Sequence, residues 1–439
     1  MAVKDAPHRC EDSGLASAAP KPQDFDHAPL GSYLGVPVNN SDFAIESNTI
    51  PNRYIVVYNS DEDADVVTAH QMAVTEKIKK RNLNKRSFDG RLLSTKVRTV
   101  DVKGWRSMIL EADDLMIMEI MNDSTVSYIE ADTYVKASAI VAQNDAPLGL
   151  RRLSVPSADD LNLNQGEVTD DTPSYTFDDT GGEDITVYVV DTGVRITHSE
   201  FQGRASFGFN AITDEVGGDA DDDNGHGSHV AGTIAGRTFG VAKNANIVAV
   251  KVLDADGGGA NSDVLQGIEF VSQDATSGKA VMNMSLGGSR SRAINNAINS
   301  LVSDDNIVPV VAAGNESQDT DNTSPGSARS AITVGAIDAA DDSIAFFSNF
   351  GEAVDVFAPG VDVLSVGIAN DRAMEVLSGT SMASPHVAGL AAYLMSTEGL
   401  SSVNEVNDRI KELAQATNGR VGGAPDDTTT LIANNGNTV

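Results

Sequence analysis

From Ile185 onward, short apolar runs alternate with longer stretches of helical spacing, and this alternation restricts the fold more than any other feature of the chain. Ile185 to Val190, Ile247 to Leu253, Ala280 to Ser285, Ile307 to Ala313 and Ala331 to Val334 are nearly continuous in apolar residues. A strand of that kind needs cover on both faces, which a parallel sheet with helices above and below it provides. The pattern predicts an α/β domain with an open, doubly wound, mostly parallel sheet. Ligands of such sheets bind beyond the carboxyl ends of the strands, where Asp191 and Asn315 fall.

The residues before this domain read differently. Residues 1–48 are rich in Pro, Ala, Ser, Asp and Asn without periodicity, which predicts a flexible leader. Arg53 to Asn59 reads as a buried strand, and Val67, Val74 and Ile78 recur at helical spacing after it. Two strand-like runs follow, Thr95 to Val102 and Trp105 to Glu111, then a short apolar helix from Asp113 to Met121 and a last strand from Val126 to Ala131. The order β-α-β-β-α-β predicts a small ferredoxin-like α+β unit over residues 49–140. Ala137 to Gln143 is a small-residue, extended stretch; it reads either as an interdomain linker or as a strand suited to a binding cleft.

Length and composition agree with two domains. The chain has 439 residues, 41% of them hydrophobic and 21% charged, and contains no apolar run long enough to cross a bilayer. Its formal charge of −32 is concentrated after residue 140, which disfavours nucleic acid and anionic membranes as partners. Cys10, the single cysteine, excludes an internal disulfide framework. Met1 to Pro20 lacks the apolar central region of a secretory signal.

Three segments carry reactive side chains. Asp191 ends an apolar run and precedes Thr192-Gly193, so its carboxylate is expected to be buried and in need of a partner. His226 lies between glycines in Asn224-Gly225-His226-Gly227-Ser228-His229, ahead of a small-residue helical run, and suits a general base. Ser381 follows Gly379-Thr380 and precedes the helix-compatible run from Met382 to Leu394. It reads either as a nucleophile at a helix N-terminus or as a helix cap. His226 and His229 lack a third plausible metal ligand outside the run Asp219 to Asp223, and no second Asp-Thr-Gly is present to form a carboxylate dyad. Ser381 also lacks the Gly-x-Ser-x-Gly surroundings of an esterase.

Taken in the order Asp, His, Ser, these segments resemble the subtilisin-like serine proteases, and more closely their proteinase K-like branch. The resemblance covers about residues 49 to 425. It implies Ser381 as nucleophile, His226 as base, Asp191 as its orienting partner and Asn315 as oxyanion donor. Gly257-Gly258-Gly259 and Ser285-Leu286-Gly287-Gly288 match the two segments that flank an extended substrate, and Ala312-Ala313-Gly314 matches a wall of the pocket before the scissile bond. Broad specificity with apolar preference is then expected. No cofactor is implied for catalysis; a structural calcium is, with Asp355 and the carbonyls of Arg329 and Ala331 at the ligand positions.

The same resemblance implies an inhibitory propeptide over residues 49–140, self-cleavage near the Ile140–Val141 bond, a catalytic domain over 141–425 and a C-terminal tail over 426–439. Partners are then protein or peptide substrates and the chain's own propeptide, with a monomer expected and a secreted or vacuolar location. Ser228 stands where the family often has Thr, and Val230 where proteinase K has a cysteine. The alternative is a catalytically silent, peptide-binding member of the family. Among the Asn-x-Ser/Thr triplets at Asn39, Asn122, Asn283, Asn315 and Asn322, only Asn322 is expected to be exposed in the mature domain.

Overall fold

The computed structural model describes Val38 and residues 49–87, 90–133, 139–163, 172–213 and 215–437. The rest of the expected leader therefore lies outside the described residues. The chain divides into two compact units, Met1–Lys136 and Ala137–Val439.

The first unit contains β1 (Thr49–Tyr58), α1 (Ala64–Arg81), β2 (Arg98–Val102), β3 (Trp105–Glu111), α2 (Asp114–Met121) and β4 (Val126–Thr133). Its antiparallel sheet runs β2-β3-β1-β4, the order of a ferredoxin-like unit. Val67, Val74 and Ile78 form the buried stripe of α1. Each helix starts on an aspartate that satisfies a free backbone donor: Asp63 accepts from the N–H of Asp65, and Asp113 from that of Met116.

The second unit opens with β5 (Ile140–Gln143), α3 (Leu148–Leu153), β6 (Tyr175–Asp178), β7 (Thr186–Asp191), β8 (Ala205–Asn210), β9 (Glu215–Val216), α4 (His226–Ala235) and β10 (Asn246–Lys251). It continues with α5 (Asn261–Asp274), β11 (Ala280–Met284), β12 (Gly288–Ser289), α6 (Arg292–Asp305), β13 (Val308–Ala312), β14 (Thr323–Ser324), β15 (Ile332–Ile337) and β16 (Val356–Pro359). The hairpin β17 (Val363–Val366) and β18 (Met374–Leu377) precedes α7 (Thr380–Glu398) and α8 (Val403–Ala416).

Eight strands form the main sheet in the order β16-β15-β13-β11-β7-β10-β8-β9. All neighbours are parallel except β9, which turns back on β8 at the edge. One face packs on α4 and α7 through residues such as Ile234, Val387 and Leu390, and the other on α5 and α6 through Ile268, Val271, Ile298 and Leu301. The sheet is thus doubly wound, as its apolar runs require. Asp191 and Ala312 close β7 and β13 at the same end of the sheet.

Of the parallel strands of the main sheet, β8 and β16 have no counterpart among the expected runs. Ser206 and Gly208 break the apolar run of β8, and β16 has four residues and ends on Pro359, so neither stands out by periodicity. The expected tail also packs. The Phe357 N–H donates to Leu431 O, the Ala433 N–H donates to Phe357 O, and Ile432 and Ala433 are buried, so the compact unit continues well past Pro425.

Arg152, near the end of α3, is the largest fully buried side chain among the described residues. Its Nε donates to Asp342 Oδ1 at 2.6 Å and its second terminal nitrogen to Oδ2 at 3.0 Å, while the Ala158 N–H adds a bond of 2.9 Å to Oδ2. This bidentate pair ties the start of the unit to the loop after β15. Removing one partner strands the other charge without water. Arg152→Ala is expected to cost about 3–5 kcal/mol of unfolding free energy, read from urea denaturation. A loss below about 1 kcal/mol, the size of an exposed pair, would contradict this role.

Candidate active site

The buried end of β7 places Asp191 under the first residue of α4, and the two side chains meet. His226 Nδ1 lies 2.7 Å from Asp191 Oδ1. A carboxylate accepts only, so Nδ1 carries the proton and Nε2 is left as the basic nitrogen. The Thr192 N–H also donates to Asp191 Oδ1, at 2.8 Å, whereas Oδ2 is buried with no hydrogen-bond partner among the described residues. Gly227 makes the approach possible. A Cβ there would sit 2.2 Å from the Gly193 carbonyl oxygen, so any other residue would push α4 off the end of β7.

A second carboxylate supports the same turn. Asp222 is buried and accepts from the Thr192 hydroxyl at 2.8 Å and from the N–H groups of Asn224, Gly225 and Ser228 at 3.1, 2.8 and 2.8 Å. The Thr192 hydroxyl in turn accepts from the Gly227 N–H at 2.9 Å. Free N–H groups at the start of α4 are thereby satisfied on both sides of His226. Burial opposes charging of the His226 ring, but the Asp191 carboxylate, its hydrogen bond and Asp222 outweigh that, so the ring's pKa lies above its ordinary value. Within the acidic run, Asp222 faces inward while Asp221 and Asp223 are exposed. Asp222 lies in the loop ahead of α4 as one acid of a run, and no spacing in the sequence singles it out. Asp223 pairs with Lys251, whose ammonium also donates to Thr192 O.

His229, the other histidine of the segment, plays a structural part. Its Nε2 lies 2.9 Å from Val363 O, and burial pushes its pKa down to about 4. The ring is neutral and committed to the backbone of β17 rather than shared with His226.

Ser381 is the second residue of α7, behind Gly379. Its hydroxyl donates to Ser285 O at 3.0 Å. Asn283 connects these segments from below: its amide donates to Ser285 Oγ and accepts from Ser384 Oγ, both at 2.9 Å, so this sequon asparagine is fully buried. Asn315 follows β13. Its Oδ1 accepts from the Thr380 N–H at 2.8 Å and from the Thr380 hydroxyl at 2.9 Å. A backbone N–H only donates, so the amide orientation is determined and Nδ2 faces away from Thr380. The Thr380 hydroxyl accepts from the Gly314 N–H as well, at 3.1 Å. Gly314 has φ of +107°, and a Cβ there would meet Asn349 Nδ2 at 2.3 Å.

A groove of about 390 Å³ adjoins His226. Gly257, Gly258 and Gly259 line it on one side, and Ser285, Leu286, Gly287 and Gly288 on the other, with Leu253, Val264 and Ile294 giving it an apolar floor. The two expected flanking segments therefore face one another. Ala312, Ala313 and Gly314 are not part of its lining; they reach the site through the bond between Gly314 and Thr380. The Ile140–Val141 bond lies in β5, paired with β6.

Asp355, one of the residues expected around calcium, is engaged by an ammonium of the chain. Asp355 Oδ1 accepts from Lys411 Nζ at 2.6 Å and Asn407 Nδ2 at 3.2 Å, and Oδ2 accepts from the Thr333 N–H at 2.9 Å. An ammonium thus stands on Oδ1, where a divalent cation would be repelled.

Comparisons with known proteins agree with this geometry. Residues 182–430 match the model of the subtilase family. Subtilisin-like protease 2 of Pseudogymnoascus destructans is 45% identical over 389 residues, 88% of this chain and 90% of that protein. Alkaline protease 1 of Aspergillus flavus is 40% identical over 395 residues, covering 89% of this chain and 92% of that protein. The crystal structure of a cold-adapted subtilisin-like serine proteinase superposes with a TM-score of 0.58 at 37% identity, over 68% of this chain and 100% of the other. The chain belongs to the subtilase family, the subtilisin-like serine proteases.

Proposed function

We propose that this protein is an endopeptidase of broad specificity, made as a self-processing precursor, with Ser381, His226, Asp191 and Asn315 as its chemical groups. The reading rests on two anchored side chains: the imidazole fixed by Asp191 and the amide fixed by Thr380. Ser381 Oγ attacks the carbonyl carbon while its proton passes to His226 Nε2, and the imidazolium is stabilised by Asp191. The hydroxyl must first leave Ser285 O by rotation about its Cα–Cβ bond, a picosecond-to-nanosecond motion. Asn315 Nδ2 and the Ser381 N–H at the start of α7 donate to the oxygen that becomes negative. Collapse of the tetrahedral adduct breaks the C–N bond, and His226 returns its proton to the leaving amine. Water, deprotonated by the same nitrogen, then releases the acyl group.

The glycine-rich walls of the groove offer main-chain bonds to an extended substrate, and the uncharged Ala312-Ala313-Gly314 segment favours apolar side chains before the scissile bond. Residues 49–140 would serve as folding aid and intramolecular inhibitor. Cleavage at Ile140–Val141 requires that bond to reach Ser381, so in this reading β5 pairs with β6 only after the cut. The enzyme is then exported or vacuolar and acts as a monomer.

Ser381→Ala is expected to leave the chain at full length; a mature form appearing without added protease, seen by N-terminal sequencing, would refute self-processing. Asn315→Ala should lower kcat about 10²–10³-fold, the size known for loss of one such donor in subtilisin, with KM nearly unchanged. An unaltered kcat would remove Asn315 from the mechanism. Catalysis needs neutral His226, so kcat/KM falls as pH drops through its pKa, which lies above the ordinary value near 6.5. Asp222→Asn removes one of the charges that raise it, so the acid limb should move to lower pH. A limb at the same pH in both proteins would show that Asp222 acts on the fold alone.

A further inference from the structure

We infer that Lys411 takes the place of a divalent cation at Asp355, so that an ammonium of the chain itself ties α8 to the edge of the main sheet. Asp355 immediately precedes β16 and is held to β15 twice, by its own N–H to Thr333 O and by the Thr333 N–H to Oδ2, both at 2.9 Å. Its other oxygen turns to α8, where Asn407 and Lys411 are four residues apart and project from the same face. Val403, Val406, Ile410 and Leu413 bury the adjacent face, which fixes the helix and delivers the ammonium to within 2.6 Å of Oδ1. The pair is only partly exposed, at 32% for Lys411 and 17% for Asp355.

A calcium ion bound to Oδ1 would stand at about 2.4 Å from it. It would then be at most about 5 Å from the Lys411 ammonium, and the two cations would repel. The oxygens that suit calcium are nonetheless present around that point. Asn407 turns its Nδ2 to Asp355 Oδ1, and its own Oδ1 is buried with no hydrogen-bond partner among the described residues, so a flip of the amide would bring that oxygen to the carboxylate. The position is therefore a cation site whose cation is covalently part of α8. Removing the ammonium should open it to calcium.

The test uses the full chain carrying Ser381→Ala, so that proteolysis does not contribute, and reads the thermal midpoint in excess EDTA and in millimolar calcium chloride. Asp355→Asn in each background identifies the share of any response that belongs to this site. The parent should show no Asp355-dependent response. Lys411→Met should unfold at lower temperature in EDTA and rise by roughly 5–10 °C at calcium concentrations about 100 times its Kd; that rise should vanish when Asp355→Asn is added. An Asp355-dependent calcium shift in the parent would overturn the inference by showing that the metal binds beside Lys411. So would a folded Lys411→Met protein that gains no calcium response. If Lys411→Met does not fold, Lys411→Gln and the parent measurement decide on the same terms.

Discussion

The 2.7 Å contact between His226 Nδ1 and Asp191 Oδ1 is the interaction on which the proposed chemistry depends. Its partners come from different elements, and the surrounding backbone leaves them little freedom. Asp191 is fully buried as the last residue of a central strand, and His226 is the first residue of a helix whose next residue has to be glycine to lie against Gly193. A buried carboxylate with one oxygen unpaired gains from any positive charge placed next to it. In the proposed mechanism the ring that accepts a proton during attack supplies that charge at the moment it is needed.

The other groups of the site follow the same division between strand ends and helix starts. Thr380, one residue before Ser381, holds Asn315 through its N–H and hydroxyl, so the proposed donor and the proposed nucleophile are positioned by adjacent residues of one chain. Moving α7 would move both together. Asn283 does the equivalent work on the opposite side, linking Ser285 in the groove wall to Ser384 one turn into α7. The positioning groups are mostly neutral hydroxyls and amides, which hold geometry without adding charges that would compete for the imidazole's proton.

Cations play a distinct role in so acidic a chain. With a single cysteine there is no internal disulfide, and several basic side chains act instead as ties between distant segments. Arg152 joins α3 to Asp342, Lys251 joins β10 to Thr192 and Asp223, and Lys411 joins α8 to Asp355. Lys243 donates to the carbonyls of Arg237 and Gly240 and lies over the rings of Tyr175 and Phe177; burial pushes its pKa down to about 7. Such ties are costly to desolvate and destructive to break singly, which favours one arrangement over others more than it raises total stability.

Much of this was legible in the residues themselves. Both-sided apolar runs announced β7, β10, β11, β13 and β15, and the glycines around His226 announced a helix start in close contact with something else. What escaped was whatever depends on orientation rather than on residue type. Asp222 is one acid among several, and only burial separates it from Asp223. Lys411 looks like an ordinary helix-surface lysine until β16 brings Asp355 beneath it. Strand β8 is interrupted by Ser206 and Gly208, because a Cβ at position 208 would collide with Val248 and Phe270.

The most direct test of the central claim is to react the folded, processed protein with a serine-directed phosphonylating reagent and to map the adduct by mass spectrometry across a range of pH. The account predicts a single adduct on Ser381, forming more slowly as His226 becomes protonated. An adduct confined to other residues, or labelling of Ser381 at a rate indifferent to pH through that range, would contradict it.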